Sequence, residues 1–240
     1  MAKLNVALVG AGFMGRFHAQ AIAESEGGRL AAVVDPVEDA GRSTAERYGA
    51  AWHRDVEAAL RAGGIDAWVV ALPDKLHQDV TCRLLDAGRP VLLEKPMAHT
   101  LAGAKAMAAA ESRGGGRLLV GHILRFDPRY VAAAQAVRDG RIGTPIHATS
   151  GRFTLRDVGL RMNGSSSVCF YLGVHDVDAL QWISGAEIRT VYSRAVSKLM
   201  PSLGVNSEDA IFTTCEMSNG MMGQLHFGWT LPSDAPTGIW

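Results

Sequence analysis

Leu4 to Val9 is a short apolar, β-rich run, and Gly10-Ala11-Gly12-Phe13-Met14-Gly15 follows it directly. A helical pattern then covers about 13–24, and a second strand over 30–34 ends at Asp35. Gly10 permits a tight turn, Gly12 lets the backbone approach a pyrophosphate, and Gly15 lets helix and strand pack closely. The helix N-terminus offers free N–H groups and a positive dipole to phosphates. Asp35 stands about 20 residues beyond Gly15, the separation that puts a carboxylate on an adenosine ribose. The stretch therefore reads as a dinucleotide site, with Phe13 and Met14 in the turn beside the glycines. A carboxylate there accepts hydrogen bonds from a 2′-hydroxyl and repels a 2′-phosphate, which favours NAD over NADP. Arg42 and Arg47 lie too far along the next helix to argue otherwise.

The alternation continues. Helical patterns cover 37–48, 55–62, 77–87 and 101–112, with Asp55 and Thr100 as N-caps. Strand patterns cover 50–52, 67–72, 91–93 and 118–121. Strands and helices joined by short turns predict a parallel sheet covered on both faces. Val91 to Leu93 is stopped by Glu94-Lys95-Pro96, since proline has no N–H for a ladder. A lysine at a strand's carboxyl end, in such a sheet, sits where ligands bind. A surface Glu-Lys pair before a turn is the plainer alternative. Leu72-Pro73-Asp74 closes another strand, and His77 after it either borders the cofactor crevice or faces water at a helix start.

The pattern changes after Gly121. Asp127-Pro128 predicts a helix start, and the helix runs to about Asp139. Extended stretches follow at 146–155, 188–196, 210–217 and 221–229. In the last, Leu225, Phe227 and Trp229 share one face and Gln224, His226 and Gly228 the other, the mark of a half-buried strand. Ser218-Asn219-Gly220 predicts a hairpin turn. The second half is therefore expected to be a mostly antiparallel sheet with helices on one face. One helix, expected over 171–182, interrupts the strands. On it Tyr171, His175 and Asp178 fall at i, i+4 and i+7 and share a face. A phenol, an imidazole and a carboxylate so placed can pass a proton, and an imidazole of ordinary pKa about 6.5 suits base work near neutrality. A structural His-Asp hydrogen bond is the alternative. His-Asp-x-Asp has no third strong ligand at a telling spacing, so no metal is expected.

Composition excludes other classes. With 48% hydrophobic and 20% charged residues among 240, the chain can bury a core. A formal net charge of zero gives no argument for nucleic acid or an anionic membrane. Cys82, Cys169 and Cys215 are scattered without zinc spacing and fit a reducing cytoplasm. The start at Met1 runs straight into a strand pattern without a signal peptide, and no apolar run is long enough to span a bilayer.

Taken together, the residues resemble the glucose–fructose oxidoreductase/inositol dehydrogenase/rhizopine catabolism (Gfo/Idh/MocA) family over nearly the whole chain. The resemblance rests on Gly10-x-Gly12-x-x-Gly15, Asp35-Pro36, Pro73-Asp74-x-x-His77 and Glu94-Lys95-Pro96. It continues through Gly121-His122-x-x-Arg125-Phe126-x-Pro128 and Gly173-Val174-His175-Asp176-x-Asp178. It implies an α/β chain: a Rossmann, doubly wound domain over 1–123 and an α+β substrate domain over 124–240. The open sheet of the second domain commonly builds homodimers or homotetramers. It also implies NAD, or less readily NADP, and a sugar, sugar acid or cyclitol substrate. Lys95 would bind the reacting oxygen, His175 would be the main acid/base and Asp178 would orient it. Arg125 and His77 would line the nicotinamide pocket, with Leu72, Pro73, Glu94 and Lys95 near the cofactor.

Two departures bear on those roles. Many members carry Asp where this chain has Tyr171, and the glycine-rich stretch before that helix is replaced by Asn163-Gly164-Ser165-Ser166-Ser167. The chain also ends at Trp240, where another sheet strand would begin, so a truncated or incompletely recorded chain lacking its last strands is expected. Besides an NAD(P)-dependent dehydrogenase acting on CH–OH groups, two further functions are open. One is an epimerase or glycosidase that recycles its NAD, and the other is a non-catalytic NAD-binding sensor.

Overall fold

The computed structural model describes residues 3–236. The chain divides into two compact units, Met1–Gly121 and His122–Trp240. In the first, β1 (Leu4–Val9), α1 (Phe13–Glu24), β2 (Gly28–Val34), α2 (Glu38–Tyr48), β3 (Ala51–His53) and α3 (Val56–Ala62) are followed by β4 (Ala67–Val70), α4 (His77–Asp86), β5 (Val91–Leu93), α5 (Leu101–Gly114) and β6 (Leu118–Val120). The six strands are parallel in the order β3-β2-β1-β4-β5-β6. The order reverses direction between β1 and β4, which opens a crevice at the carboxyl ends of those strands.

Period-two side chains explain why the sheet is covered on both faces. Ala7, Val9, Trp68, Val70, Val91 and Leu93 point into one apolar layer with Leu84, Leu85 and Met107 from the helices. Leu8, Val33 and Val69 point into the opposite layer with Ala19 and Ala45. Each such Leu or Val contributes about 1.5–3 kcal/mol when fully buried. Asp55 and Thr100 cap α3 and α5 as expected, accepting from the Ala58 and Gly103 amides. The strand expected to reach residue 72 stops at Val70, and Pro73 begins the turn beyond it.

The second unit holds α6 (Pro128–Arg138), β7 (His147–Leu155), α7 (Arg156–Met162), a π turn over Cys169–Gly173, α8 (Val174–Ser184), β8 (Ile188–Val196), α9 (Leu199–Ser202), β9 (Ala210–Met217) and β10 (Met222–Leu231). Its sheet runs β7-β10-β9-β8. The β10–β9 and β9–β8 pairs are antiparallel, and β7–β10 is parallel. Leu225, Phe227 and Trp229 are buried against Leu172, Leu180 and Met200, as their shared face predicted. Gly228, expected on the outer face, is buried, beside the Asp209 carbonyl and Phe153. Asn219-Gly220 makes the hairpin turn, with Gly220 at φ 82° and the Asn219 side chain accepting from the Met221 amide.

The expected strand start at Trp240 lies outside the described residues. Among the described residues no helix is long and apolar enough to cross a membrane.

Candidate active site

The turn after β1 is built from the glycines outward. Gly10 sits at φ 97°, and a Cβ there would lie 2.5 Å from the Ala71 carbonyl oxygen. A Cβ on Gly15 would lie 1.9 Å from the Gly10 carbonyl oxygen, so α1 can approach its own turn only with glycine at this position. At Gly12 the place of a Cβ is open space. No side chain caps α1 at Gly12, so its first amides face outward with the helix dipole behind them. Phe13 and Met14, in the first turn of α1, are exposed. This cradle fits a pyrophosphate: the backbone is bare where the phosphates approach, and the donors there are not taken by a side chain.

Asp35 closes the cradle. It is buried, and its oxygens accept from the Ala11 amide at 2.7 Å and the Val37 amide at 2.8 Å. A carboxylate oxygen accepts more than one donor, so both remain able to receive a ribose hydroxyl. The Trp52 indole N–H donates to the Asp35 carbonyl at 3.1 Å. Arg42 lies over that ring, 4.4 Å from its centroid, and donates to Glu38 at 2.7 Å. The nearer of the two α2 arginines is thus engaged by an acid and an indole.

Two further loops leave the same edge of the sheet. Leu72 packs on the core beneath the turn after β4, and Pro73 starts the short helical turn Asp74–Leu76. His77 was expected to line the nicotinamide pocket. It is instead 1% exposed, with Nδ1 2.8 Å from the Pro96 carbonyl oxygen and Nε2 2.8 Å from the Leu72 carbonyl oxygen. The ring is turned inward and sits between two backbone carbonyls. Glu94, expected near the cofactor, is also turned inward at 6% exposure. Its carboxylate lies 2.7 Å from His18 Nε2 on α1 and accepts the Lys95 amide at 3.1 Å. Burial pushes the Glu94 carboxyl up, but the His18 bond and charge and the Lys95 amide and charge bring it net below its ordinary value. Lys95 follows, half-buried, at the carboxyl end of β5.

In the second unit, His175 stands half-buried in the first turn of α8. The unbroken α-helical face expected for Tyr171, His175 and Asp178 is interrupted, because Tyr171 belongs to the wider π turn. Tyr171 accepts from Arg161 at 3.4 Å and packs beside Trp229. Asp178 binds Arg125. Its oxygens receive Arg125 Nε at 2.9 Å and a terminal Arg125 nitrogen at 2.6 Å, and Oδ2 lies 3.7 Å from His122 Nδ1. The same carboxylate, expected to orient His175, is a two-point anchor for Arg125, the residue expected in the nicotinamide pocket.

Sequence reasoning gave no role to Asp176, yet it is 2% exposed. It receives Ser150 at 2.7 Å and Arg152 at 3.1 and 3.3 Å, and Arg152 also donates to Tyr130 at 3.2 Å. This buried pair ties the start of α8, and so His175, to β7. The signal for it was an arginine on the inward register of β7, legible only once the strand's pairing is known.

Residues 4–122 match the family model for Gfo/Idh/MocA oxidoreductases, described as an NAD-binding Rossmann fold, and residues 130–239 match the family's C-terminal domain. The chain is 32% identical over 225 residues to an inositol 2-dehydrogenase of Rubrobacter xylanophilus, which covers 93% of this chain and 64% of that protein. It is 28% identical over 237 residues to a scyllo-inositol 2-dehydrogenase (NAD(+)) of Bacillus subtilis, covering 96% of this chain and 68% of that one. Among solved structures it resembles GenD2 from gentamicin A biosynthesis in complex with NAD, with TM-score 0.86 and 28% identity, over 97% of this chain and 67% of that one. The chain thus spans 64% and 65% of the length of two inositol 2-dehydrogenases that it matches.

Proposed function

The chain belongs to the Gfo/Idh/MocA oxidoreductase family, and from that premise we propose that it works as an NAD-dependent dehydrogenase on a CH–OH carbon of a cyclitol, sugar or sugar acid. One observation carries this reading. Lys95 follows β5 at the same sheet edge where β1 delivers the glycine turn and β2 delivers Asp35. A dinucleotide cradle and a lysine share the ligand-binding edge of one parallel sheet.

NAD, when bound, supplies the hydride acceptor. The α1 amides and the bare backbone at Gly12 hold the pyrophosphate, and Asp35 accepts from the adenosine ribose. The Arg42 charge is held by Glu38 and Trp52, which supports NAD over NADP. Lys95 binds the reacting oxygen, and His175 or Lys95 takes the hydroxyl proton as the carbinol C–H bond breaks. Asp178 fixes Arg125, and Tyr171 contacts substrate or passes a proton on. Inositol 2-dehydrogenases among the similar proteins support a cyclitol as the first substrate to try.

A second copy of the chain is the proposed partner. Tyr192 on β8, Phe212 on β9 and Met222 on β10 are exposed on strands of one sheet. Three free cysteines support a cytoplasmic, reducing setting.

The experiment is absorbance at the NADH band with excess NAD over a panel of inositols, sugars and sugar acids. Multiple-turnover NADH formation with at least one polyol is the expected result. Product without net NADH, or no turnover on any panel member despite NAD binding, would overturn the reading.

A further inference from the structure

Lys95 is flanked by two residues that buried or half-buried histidines hold from opposite sides. Before it, the buried Glu94 carboxylate meets His18 Nε2 at 2.7 Å, and His18 belongs to α1, the helix that carries the glycine turn. After it, the Pro96 carbonyl meets His77 Nδ1 at 2.8 Å, and the far side of that ring meets the Leu72 carbonyl at 2.8 Å. We infer that His18 and His77 are positioning residues that brace the Glu94-Lys95-Pro96 segment against α1 and against the turn after β4, and so fix where Lys95 stands.

The physical case rests on what surrounds each ring. His77 is 1% exposed, so water cannot replace its bonds, and an unmet buried donor or acceptor costs about 1–3 kcal/mol. Either tautomer donates to one of the two carbonyls, and an imidazolium donates to both. Glu94 is buried too, and its carboxyl is held below its ordinary value, net of burial, by His18 and by the Lys95 amide and charge. The segment β5 itself is only three residues long, Val91–Leu93, and cannot fix the direction of the chain beyond it. The histidines supply that constraint from two different elements. A displacement of about 1 Å in a group of this kind can cost 10²-fold in rate.

The inference takes Lys95 to act on substrate, as proposed above, but its test does not depend on that. The two braces use different ring nitrogens, so amide substitutions separate them. Gln carries a donor near the position of His Nε2, and Asn carries one near His Nδ1. His18→Gln should keep the Glu94 contact and His18→Asn should lose it. His77→Asn should keep the Pro96 contact and His77→Gln should lose it.

Hydrogen exchange of the 240-residue chain without cofactor is compared for these four variants. Exchange over 93–98 should stay near wild type in His18→Gln and His77→Asn. It should rise about 5-fold or more in His18→Asn and His77→Gln, the equivalent of one lost neutral hydrogen bond. The rest of the six-stranded sheet should be unchanged. In turnover on the polyol found in the panel, the same two loosened variants should lose kcat while KM for NAD holds. Equal behaviour of Asn and Gln at each position, or faster exchange spread over the whole sheet, would overturn the brace. Wild-type exchange contrast with no turnover in any protein would instead overturn the dehydrogenase reading and leave the brace standing.

Discussion

Lys95→Met is expected to lower kcat for NAD-linked polyol oxidation by about 10²–10⁴-fold, the range for losing a positioned acid or base. Methionine keeps an unbranched chain of similar length, so packing beside β5 should hold. What it removes is the amine that binds the reacting oxygen. The cradle is formed by the turn after β1 and by Asp35. NAD affinity should therefore remain close to wild type, and a fluorescence titration with NAD checks this in the same preparation. Full turnover in Lys95→Met would remove the lysine from the chemistry.

Gly15→Ala should have the largest effect on the cofactor cradle. The added Cβ would lie 1.9 Å from the Gly10 carbonyl oxygen, which is backbone and has no rotamer to yield. Either α1 moves off its turn or the turn itself opens. Overpacking of this kind costs about 1–3 kcal/mol, occasionally more. If a similar loss falls on the bound state, NAD affinity drops about 10- to 10²-fold. Gly12→Ala is the contrasting variant, because its Cβ enters open space. It should melt like wild type and still bind NAD more weakly, since the methyl stands where a phosphate approaches. Thermal melting and NAD titration of both proteins separate the two effects. Wild-type melting and affinity in Gly15→Ala would contradict the close approach of α1 to the β1 turn.

The parts of the fold that were legible in the sequence are those written in local patterns. The glycine turn, the caps at Asp55, Thr100 and Asp127, and the inward face of Leu225, Phe227 and Trp229 depend on neighbours within a few residues. What escaped was decided at long range. His77 looks like a crevice histidine by position, yet carbonyls at Leu72 and Pro96 turn its ring inward. Spacing along a helix pointed Asp178 at His175 and gave no sign of the Arg125 guanidinium that binds both its oxygens. Tyr171 shares the His175 face only in a helix that is α throughout, and the π turn over Cys169–Gly173 breaks that regularity. The Arg152–Asp176 pair was invisible for the same reason: 24 residues separate its members in sequence. Polar side chains choose partners after the chain has packed, and no periodicity records the choice.

The central claim is that a C–H bond of the substrate is broken with its hydrogen delivered to NAD. The most direct measurement uses the polyol that turns over in the panel, deuterated at its carbinol carbons, with mass analysis of the reduced nicotinamide. The account predicts one deuterium in each NADH formed and slower single-turnover reduction than with the unlabelled polyol. NADH free of deuterium would contradict it, as would converted polyol with no NADH accumulating.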